Sequence, residues 1–280
     1  MTLVIAHYHN VEDFRAVAEP YLSRHEVKNN LLLSLIRYMA GTHHEAGPAH
    51  CWTVLDGDLI VGVALRTGDG RALVFSEMPL SCVALLAADV KKHIPALSEI
   101  NGPVEVVEAF AAAFGRKTSL IMHLGAYSCA SAVIPKVTTG GFRKATFDDL
   151  ELLIGWNEAF SLEAMGTSGG DPRALLKTKI DHGALFLWED DAKRPACQTY
   201  SAAPTANGIR ITGVYTPKDL RGRGYASSLV AHVTKSLLDS GYKFVFLFTD
   251  MANPTSNSIY QRIGYQQFGE MKHLRLVAAD

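Results

Sequence analysis

The sequence has few cysteines, no long apolar run and almost no net charge, and each feature excludes a class of protein. Its four cysteines are widely spaced and form no CxxC pair, which argues against a zinc ribbon or a disulfide framework. No apolar run approaches the roughly 20 residues that span a bilayer. The formal net charge of -1 gives no general attraction to nucleic acid or to a membrane. We therefore expect a soluble, cytoplasmic protein that binds neither of them.

The 280 residues suit two ordinary domains or one large one, and hydrophobic periodicity predicts that one order of elements occurs twice along them. Each half begins with a strand, two helices and three strands, and continues with a helix, a strand and a helix. The last segment, YQQFGEMKHLRLVA, is predicted to form a pair of strands. In SAVIPKVTTGG, Pro135 and two glycines cluster, so we predict domains of 1–138 and 139–280. The predicted fold class is α/β, with a mixed sheet.

The stretch TPKDLRGRGYASSL, which begins at Thr216, places two glycines at the predicted start of a helix. Glycine is costly inside a helix, so Gly222 and Gly224 indicate either a turn or a ligand. A helix start offers unpaired N–H groups and partial positive charge, and without side chains a phosphate can approach this backbone. The matching segment of the first half, SEMPLSCVALL, has no glycine. Only the second half is therefore predicted to hold an anion in this way.

Three interpretations of the glycine-rich turn remain at this point. It matches a dinucleotide fingerprint, GxGxxG, in two of three glycines, with Asp250 at the end of the next predicted strand as the acid. Ser227 replaces the third glycine, however, and PKDLR intervenes where the tight turn should begin. The pattern GxxxxGK[ST] of a P-loop does not occur. A phosphate site of another kind and a solvated basic loop are the alternatives.

The segment Arg221-Gly222-Arg223-Gly224-Tyr225-Ala226 resembles the Arg/Gln-x-x-Gly-x-Gly/Ala motif of the GCN5-related N-acetyltransferases, the GNAT superfamily. The resemblance extends to ITGVYTP before the motif and to FVFLFTDMANPTSNSIYQRIGY after it. By element order it covers the second half, and the first half resembles a degenerate copy. It implies two GNAT-like domains, each a mostly antiparallel twisted sheet with flanking helices, of which the C-terminal one is catalytic.

The resemblance also implies a site for acetyl-coenzyme A as the acetyl donor. In the superfamily the motif wraps the pyrophosphate, and the strand before it offers backbone groups to the pantetheine and the thioester. The matching positions here are Val214, Tyr215, Thr216, Arg221, Gly222, Arg223, Gly224, Tyr225, Ala226, Asn253, Ser256, Asn257 and Tyr260.

Acetyl transfer needs a polarised carbonyl, an uncharged amine and a proton for the departing thiolate. The resemblance implies that the N–H of Val214 or of a neighbour polarises the carbonyl, and that Tyr260 protonates the sulfur. Simple packing is the alternative role of Tyr260. Asn253 precedes a proline and is therefore also a good helix cap, and one residue can do both.

The general base and any metal are left without a motif. Glu158, Glu163 and Asp171 lie where the superfamily builds its acceptor pocket, but a solvated helix face explains each equally well, and a water chain is a further alternative. Four other residues that lie close together in the sequence could suggest a metal site. Their spacing matches no helical HxxxH or zinc-knuckle pattern, so we predict no metal. This group consists of His43, His44, His50 and Cys51.

We predict that the protein transfers acetyl from acetyl-coenzyme A to a primary amine, directly within a ternary complex, and a small molecule is favoured over a protein as the acceptor. Two other functions stay open. One is an NAD-dependent oxidoreductase that uses the glycine-rich turn, and the other is a non-catalytic protein that binds an acyl-coenzyme A. A homodimer is compatible with the sequence, and the acceptor depends on loops that the sequence does not interpret.

Overall fold

The computed structural model describes residues 3–41, 48–135 and 139–277, which form two compact units. The first unit consists of Met1–Ala126, Thr249–Ala252 and Phe268–Asp280. The second consists of Tyr127–Phe248 and Asn253–Gln267. Neither unit is one continuous stretch of chain. The single boundary between residues 138 and 139 therefore stays a prediction, and it does not coincide with the division into these units.

The first ten elements begin with a strand and two helices, as predicted. They are β1 (Leu3–Tyr8), α1 (Val11–Ser23), α2 (Asn30–Gly41), β2 (His50–Asp56), β3 (Leu59–Arg66), β4 (Leu73–Phe75), α3 (Leu80–His93), β5 (Glu99–Pro103), α4 (Val104–Phe114) and β6 (Lys117–Cys129). The next ten repeat this order of strands and helices. They are β7 (Gly141–Lys144), α5 (Leu150–Met165), α6 (Arg173–Asp181), β8 (Leu185–Glu189), β9 (Pro195–Ala202), β10 (Gly208–Tyr215), α7 (Tyr225–Asp239), β11 (Phe244–Asp250), α8 (Pro254–Ile263) and β12 (Gln266–Val277).

In the first unit, β1 to β4 pair antiparallel in chain order, and β4 pairs parallel with β5. Helices cover both faces of these strands, which explains why β3 is apolar almost throughout. On one face, α1 and α2 bury Phe14, Leu33 and Ile36. On the other, α3 and α4 bury Leu86 and Phe110. The helical spacing of apolar residues thus becomes two separate cores on the two sides of one sheet.

In the second unit, β7 to β10 pair antiparallel in chain order, and β10 begins a parallel pairing with β11. One face carries the larger core, in which α7 and α8 contribute Leu229, Val233 and Ile263. The other face carries a smaller core, in which Leu153 of α5 and Leu176 of α6 pack. The predicted mixed sheet with flanking helices is confirmed.

The end of the chain corrects one prediction. YQQFGEMKHLRLVA does not form a pair of strands, because β12 runs through it as one strand. Its second half pairs antiparallel with β5, from Met271↔Pro103 to Arg275↔Glu99, and this non-local pairing holds it extended. Leu274 is accordingly buried in the core of the first unit. Among the described residues, no helix is both long enough and apolar enough to cross a membrane.

Candidate active site

Strands β10 and β11 run side by side only at their beginnings. Their parallel pairing extends from Gly208↔Phe244 to Arg210↔Phe246, although both strands continue beyond these residues. Backbone N–H and C=O groups of an unpaired strand end need other partners, and an extended ligand can supply them. The carboxyl end of β10, which continues beyond this pairing, is therefore suited to bind such a ligand.

A bulge in β10 lies at the point where the two strands separate. The register with β9 shifts between Thr212 and Tyr215, which places Gly213 and Val214 in the bulge. Gly213 has a φ of 64°, and a Cβ atom there would lie 2.1 Å from Cε1 of Tyr200, so only glycine fits. A bulge leaves a residue outside the ladder of hydrogen bonds. Here the bulge contains Val214, the residue predicted to polarise a carbonyl.

The turn between β10 and α7 contains a 3-10 helix, Lys218–Leu220, followed by the two glycines. Gly222 and Gly224 have φ angles of 77° and 81°, and Gly224 is the N-cap of α7. A left-handed conformation of this kind strains any other residue. A Cβ atom at Gly222 would meet no heavy atom within 4 Å, so the space beside its backbone is open. The start of α7 can therefore accept an oxyanion against its N–H groups.

The two arginines of the motif differ in their surroundings. Arg221 donates from Nη2 to Oε2 of Glu163 at 2.6 Å and from Nε to the carbonyl of Thr216 at 2.9 Å. Lys218 Nζ lies 3.8 Å from the other carboxylate oxygen of Glu163. Arg223 donates to a backbone carbonyl at 3.2 Å and forms no ion pair with any described residue. Of the two guanidinium groups, that of Arg223 is thus the one without a carboxylate partner.

Tyr260 lies on α8 and is only 8% exposed. Val214 packs against the apolar cluster that contains it, so the two predicted catalytic residues belong to one core. Burial, with a smaller effect of Cys197, raises the pKa of the Tyr260 phenol well above its usual value. The same cause raises the pKa of the buried Cys197 thiol to about 12. Both groups therefore stay protonated at neutral pH, and Tyr260 can act as a proton donor only.

The start of α8 contains the polar residues that were predicted near a coenzyme. Asn253 is the N-cap, and its Oδ1 accepts from the N–H of Ser256 at 3.1 Å, which confirms the capping role. Ser256 and Asn257 are half-buried in the first turn. Asp250 accepts through Oδ1 from the N–H two residues later at 2.9 Å, so it closes the turn before α8. Contact of Asn253, Ser256 and Asn257 with a coenzyme stays a prediction.

The three carboxylates considered as the general base have different surroundings. The carboxylate of Glu163 contacts Arg221 and Lys218. Asp171 accepts through Oδ1 from the N–H of Arg173 at 2.9 Å and so stabilises the start of α6. Glu158 is exposed on α5. Glu163 and Asp171 therefore already have structural partners, whereas Glu158 lies open to solvent.

The histidines and the cysteine considered for a metal are only partly described. His43 and His44 lie outside the described residues. Within the described ranges, no group of three or more His, Cys, Asp or Glu side chains could hold a metal ion. His50 stacks on Trp52, with ring centres 5.8 Å apart, and burial raises the pKa of the Cys51 thiol to about 12.

The first unit has a different surface where its order of elements repeats that of the second. Helix α3 follows β4 as α7 follows β10, but its N-cap is Pro79 and no glycine precedes it. A groove of about 700 Å³ beside the starts of α3 and α4 is lined by Glu77, Glu105 and Glu270 among apolar residues. Carboxylates repel a pyrophosphate, so this groove disfavours the ligand that the second unit is predicted to bind.

Residues 203–275, which contain β10, the two glycines and α8, match a family described as FR47-like protein. Similar folds occur among solved structures. A GCN5-related N-acetyltransferase from Sphaerobacter thermophilus has a TM-score of 0.63 at 12% identity, over 99% of this chain and 97% of that one. The chain is a GNAT-fold protein. This confirms, at the level of the fold, the resemblance predicted from the sequence.

Two further GNAT structures cover most of the chain. A tandem GNAT protein from the clavulanic acid biosynthesis pathway has a TM-score of 0.59 at 12% identity, over 100% of both chains. A GCN5-related N-acetyltransferase from Kribbella flavida has a TM-score of 0.59 at 16% identity, over 91% of this chain and 95% of that one. No curated protein matches the sequence. At these identities the likeness establishes the GNAT fold.

Sequence reasoning missed two features of this GNAT-fold site. One is the contact of Glu163 with Arg221, which no local pattern signals because the residues are far apart in the chain. The other is Gln198 on β9, which pairs with Tyr215 across the bulge. The side chain of Gln198 is 0% exposed, and neither Oε1 nor Nε2 has a hydrogen-bond partner among the described residues. Alternation of polar and apolar residues in ACQTYSAA was the only available signal for it.

Proposed function

We propose that this GNAT-fold protein transfers an acetyl group from acetyl-coenzyme A to the amine of a small molecule. One observation carries the proposal. Separating strand ends, a bulge at Gly213 and open space beside Gly222 occur within one strand-turn-helix segment. The NAD alternative requires a doubly wound parallel sheet, whereas β7 to β10 are antiparallel. GNAT acetyltransferases among the similar folds add support.

In this proposal each part of the segment has one binding task. The N–H groups from Gly222 to Gly224 and the guanidinium of Arg223 bind the pyrophosphate, because a helix start and a planar cation both suit phosphate oxygens. The backbone from Val214 to Thr216, at the end of β10, pairs with the pantetheine arm as an added strand would. Acetyl-coenzyme A supplies the activated acetyl thioester.

Two residues then serve the chemistry. The N–H of Val214 polarises the thioester carbonyl, and the hydroxyl of Tyr260 gives its proton to the departing sulfur. A free thiol has a pKa of about 8.5, so this transfer would be unfavourable in water for a phenol of raised pKa. The same burial also destabilises a thiolate, which restores the match between donor and acceptor.

Binding and turnover experiments test the proposal separately. Calorimetric titration should detect binding of acetyl-coenzyme A but not of NAD, and a thiol-release assay should respond to at least one amine of a panel. Tyr260→Phe should lower kcat by a factor of about 100 to 10,000 and leave the coenzyme Kd nearly unchanged. Tyr242→Phe is a matched control, because Tyr242 packs against the same core and should keep full kcat.

Two results would contradict the proposal. Failure of acetyl-coenzyme A to bind would exclude a coenzyme site in the second unit. Binding without thiol release for any amine would identify a non-catalytic acyl-coenzyme A-binding protein instead.

A further inference from the structure

Two cations lie together on the α5 and α6 face of the second sheet, away from the glycine-rich turn. Arg210 lies on β10, and Lys179 lies in the last turn of α6. Arg210 pairs with Ala202 on β9, and cross-strand partners share a face, so Arg210 is on the same face as Tyr200. Lys179 Nζ lies over the Tyr200 ring, 5.9 Å from its centre. The three side chains therefore form one cluster.

Among the residues that the structure describes, neither cation of this cluster has an anionic partner. The Nε atom of Arg210 is buried and lacks a hydrogen-bond partner among the described residues. Lys179 Nζ donates to the carbonyl of Ser201 at 2.9 Å, which leaves its charge unbalanced. In the ranges that the structure describes, neither residue forms an ion pair with a carboxylate. The cluster thus has two positive charges and an unused donor.

Such an arrangement is costly without a counter-ion. A desolvated charge is unfavourable unless it is paired, and two like charges increase the cost. Burial lowers the pKa of the Arg210 guanidinium and that of the Lys179 ammonium, and Arg210 lowers the latter further. Tyr200 supplies no negative charge, because burial raises the pKa of its phenol. The missing component of the cluster is therefore an anion.

We infer that Arg210, Lys179 and Tyr200 form a binding site for an oxyanion, namely the phosphate or carboxylate group of a small molecule. A guanidinium offers a planar fork of donors, and an ammonium adds a compact charge. A neutral phenol completes the set with a further donor. This combination contains two cations and no carboxylate, so it selects against cationic ligands.

The two cations of the oxyanion site lie away from the acetyl-transfer segment, whereas the ring of Tyr200 reaches Gly213 in the bulge. Arg210 lies where β10 still pairs with β11, whereas Val214 lies in the bulge four residues later. A strand rises about 3.3 Å per residue, which puts about 13 Å between the two backbone positions. An anion at Arg210 is therefore a different one from the phosphates predicted at Gly222 and Gly224, which follow Val214 by eight and ten residues.

Titration with inorganic phosphate and with acetate tests the site on the full chain. We expect Arg210→Met and Lys179→Met each to weaken binding about tenfold, the effect of losing one charge-assisted contact. Lys177→Met is the matched control, because Lys177 is exposed on the same helix and should leave affinity unchanged. Arg223→Met should remove only the phosphate that binds at the glycine-rich turn. The stronger of the two probes identifies the class of oxyanion.

Thermal unfolding gives an independent measurement. In buffer without phosphate or carboxylate, Arg210→Met should melt above the wild type, because the substitution removes an unbalanced charge. Phosphate or acetate should raise the Tm of the wild type but not that of Arg210→Met, so the difference in Tm between the two proteins should become smaller. Equal shifts in the wild type and in both Met variants, or no shift in any of them, would overturn the inference.

Discussion

At the scale of single residues, Arg221 can bind a phosphate only in competition with Glu163. The two side chains are 45% and 32% exposed, so their ion pair contributes at most about 1 kcal/mol. We expect Glu163→Gln to tighten the binding of acetyl-coenzyme A by up to about fivefold, as calorimetry would measure. Glu158→Gln on the same helix should leave the coenzyme Kd unchanged. Weaker binding by Glu163→Gln would mean that Glu163 positions Arg221 for the coenzyme.

The buried side-chain amide of Gln198 leads to a prediction about the stability of the fold. A buried amide without partners loses its hydrogen bonds to water and gains none in return. We expect Gln198→Met, which keeps the length of the side chain, to raise the free energy of unfolding by about 1 kcal/mol in denaturant titration. Gln261→Met, at an exposed position of α8, should change it little. A loss of stability in Gln198→Met would show that the amide has a partner in solution.

At the scale of elements, two glycines of one segment should respond differently to alanine. In Gly213→Ala the new methyl group would overlap the Tyr200 ring and the backbone would be strained, so we expect a loss of about 3 kcal/mol or more. In Gly222→Ala only the strain applies, at about 1 kcal/mol, since nothing lies near the new methyl group. The methyl group would instead occupy the space proposed for a phosphate. Coenzyme affinity should therefore fall about tenfold in Gly222→Ala, by calorimetry, and an unchanged Kd would exclude a phosphate there.

A second element-scale feature is a cluster of imidazoles where β1, β2 and the end of α3 meet. His7 Nε2 lies 3.3 Å from Nδ1 of His50, and the His7 and His93 rings are 4.1 Å apart. Burial, followed by the nearby imidazoles of His93, His9 and His50, lowers the pKa of His7 to about 4, against the opposing effect of Asp89. Burial also lowers the pKa of His50.

These lowered pKa values predict that acid destabilises the first unit. An unfolded chain binds protons at its histidines near pH 6.5, whereas folded His7 resists protonation down to about pH 4. The contribution of neutral His7 to the stability of the fold is therefore fully present above about pH 6.5 and is lost as the pH falls toward 4. Tm measured across this window should fall for the wild type and fall less for His7→Gln. His25→Gln, at an exposed position, should follow the wild type, and identical profiles for all three would refute the role of His7.

The order of elements could be predicted from the sequence, whereas the features that depend on pairing could not. Periodicity and turn residues are local, so they indicated both copies of the strand-helix order and the glycines at the start of α7. Gly213 looks like any strand glycine in ITGVYTP, and its φ becomes necessary only because Tyr200 packs against it from β9. Likewise, Arg210 and Lys179 meet only once α6 lies on the sheet.

At the scale of the whole molecule, the compact units do not follow the chain as two halves. Tyr127 and Cys129 belong to the core of the second unit, and Leu274 and Leu276 belong to that of the first. We expect a fragment of residues 139–280 to lack part of its own core and to expose the apolar residues of β12. It should show no cooperative thermal transition by circular dichroism and should associate in gel filtration. A monomeric fragment that unfolds as cooperatively as the full chain would contradict this.

The pairing of β5 with β12 also has a consequence for the nascent chain. A ribosome adds about 5–20 residues per second, so the segment from β5 to β12 takes on the order of ten seconds to synthesise. Throughout this interval one edge of β5 has no partner, and an open edge is a site for aggregation or for a chaperone. The unit that is synthesised first is therefore the last to be completed.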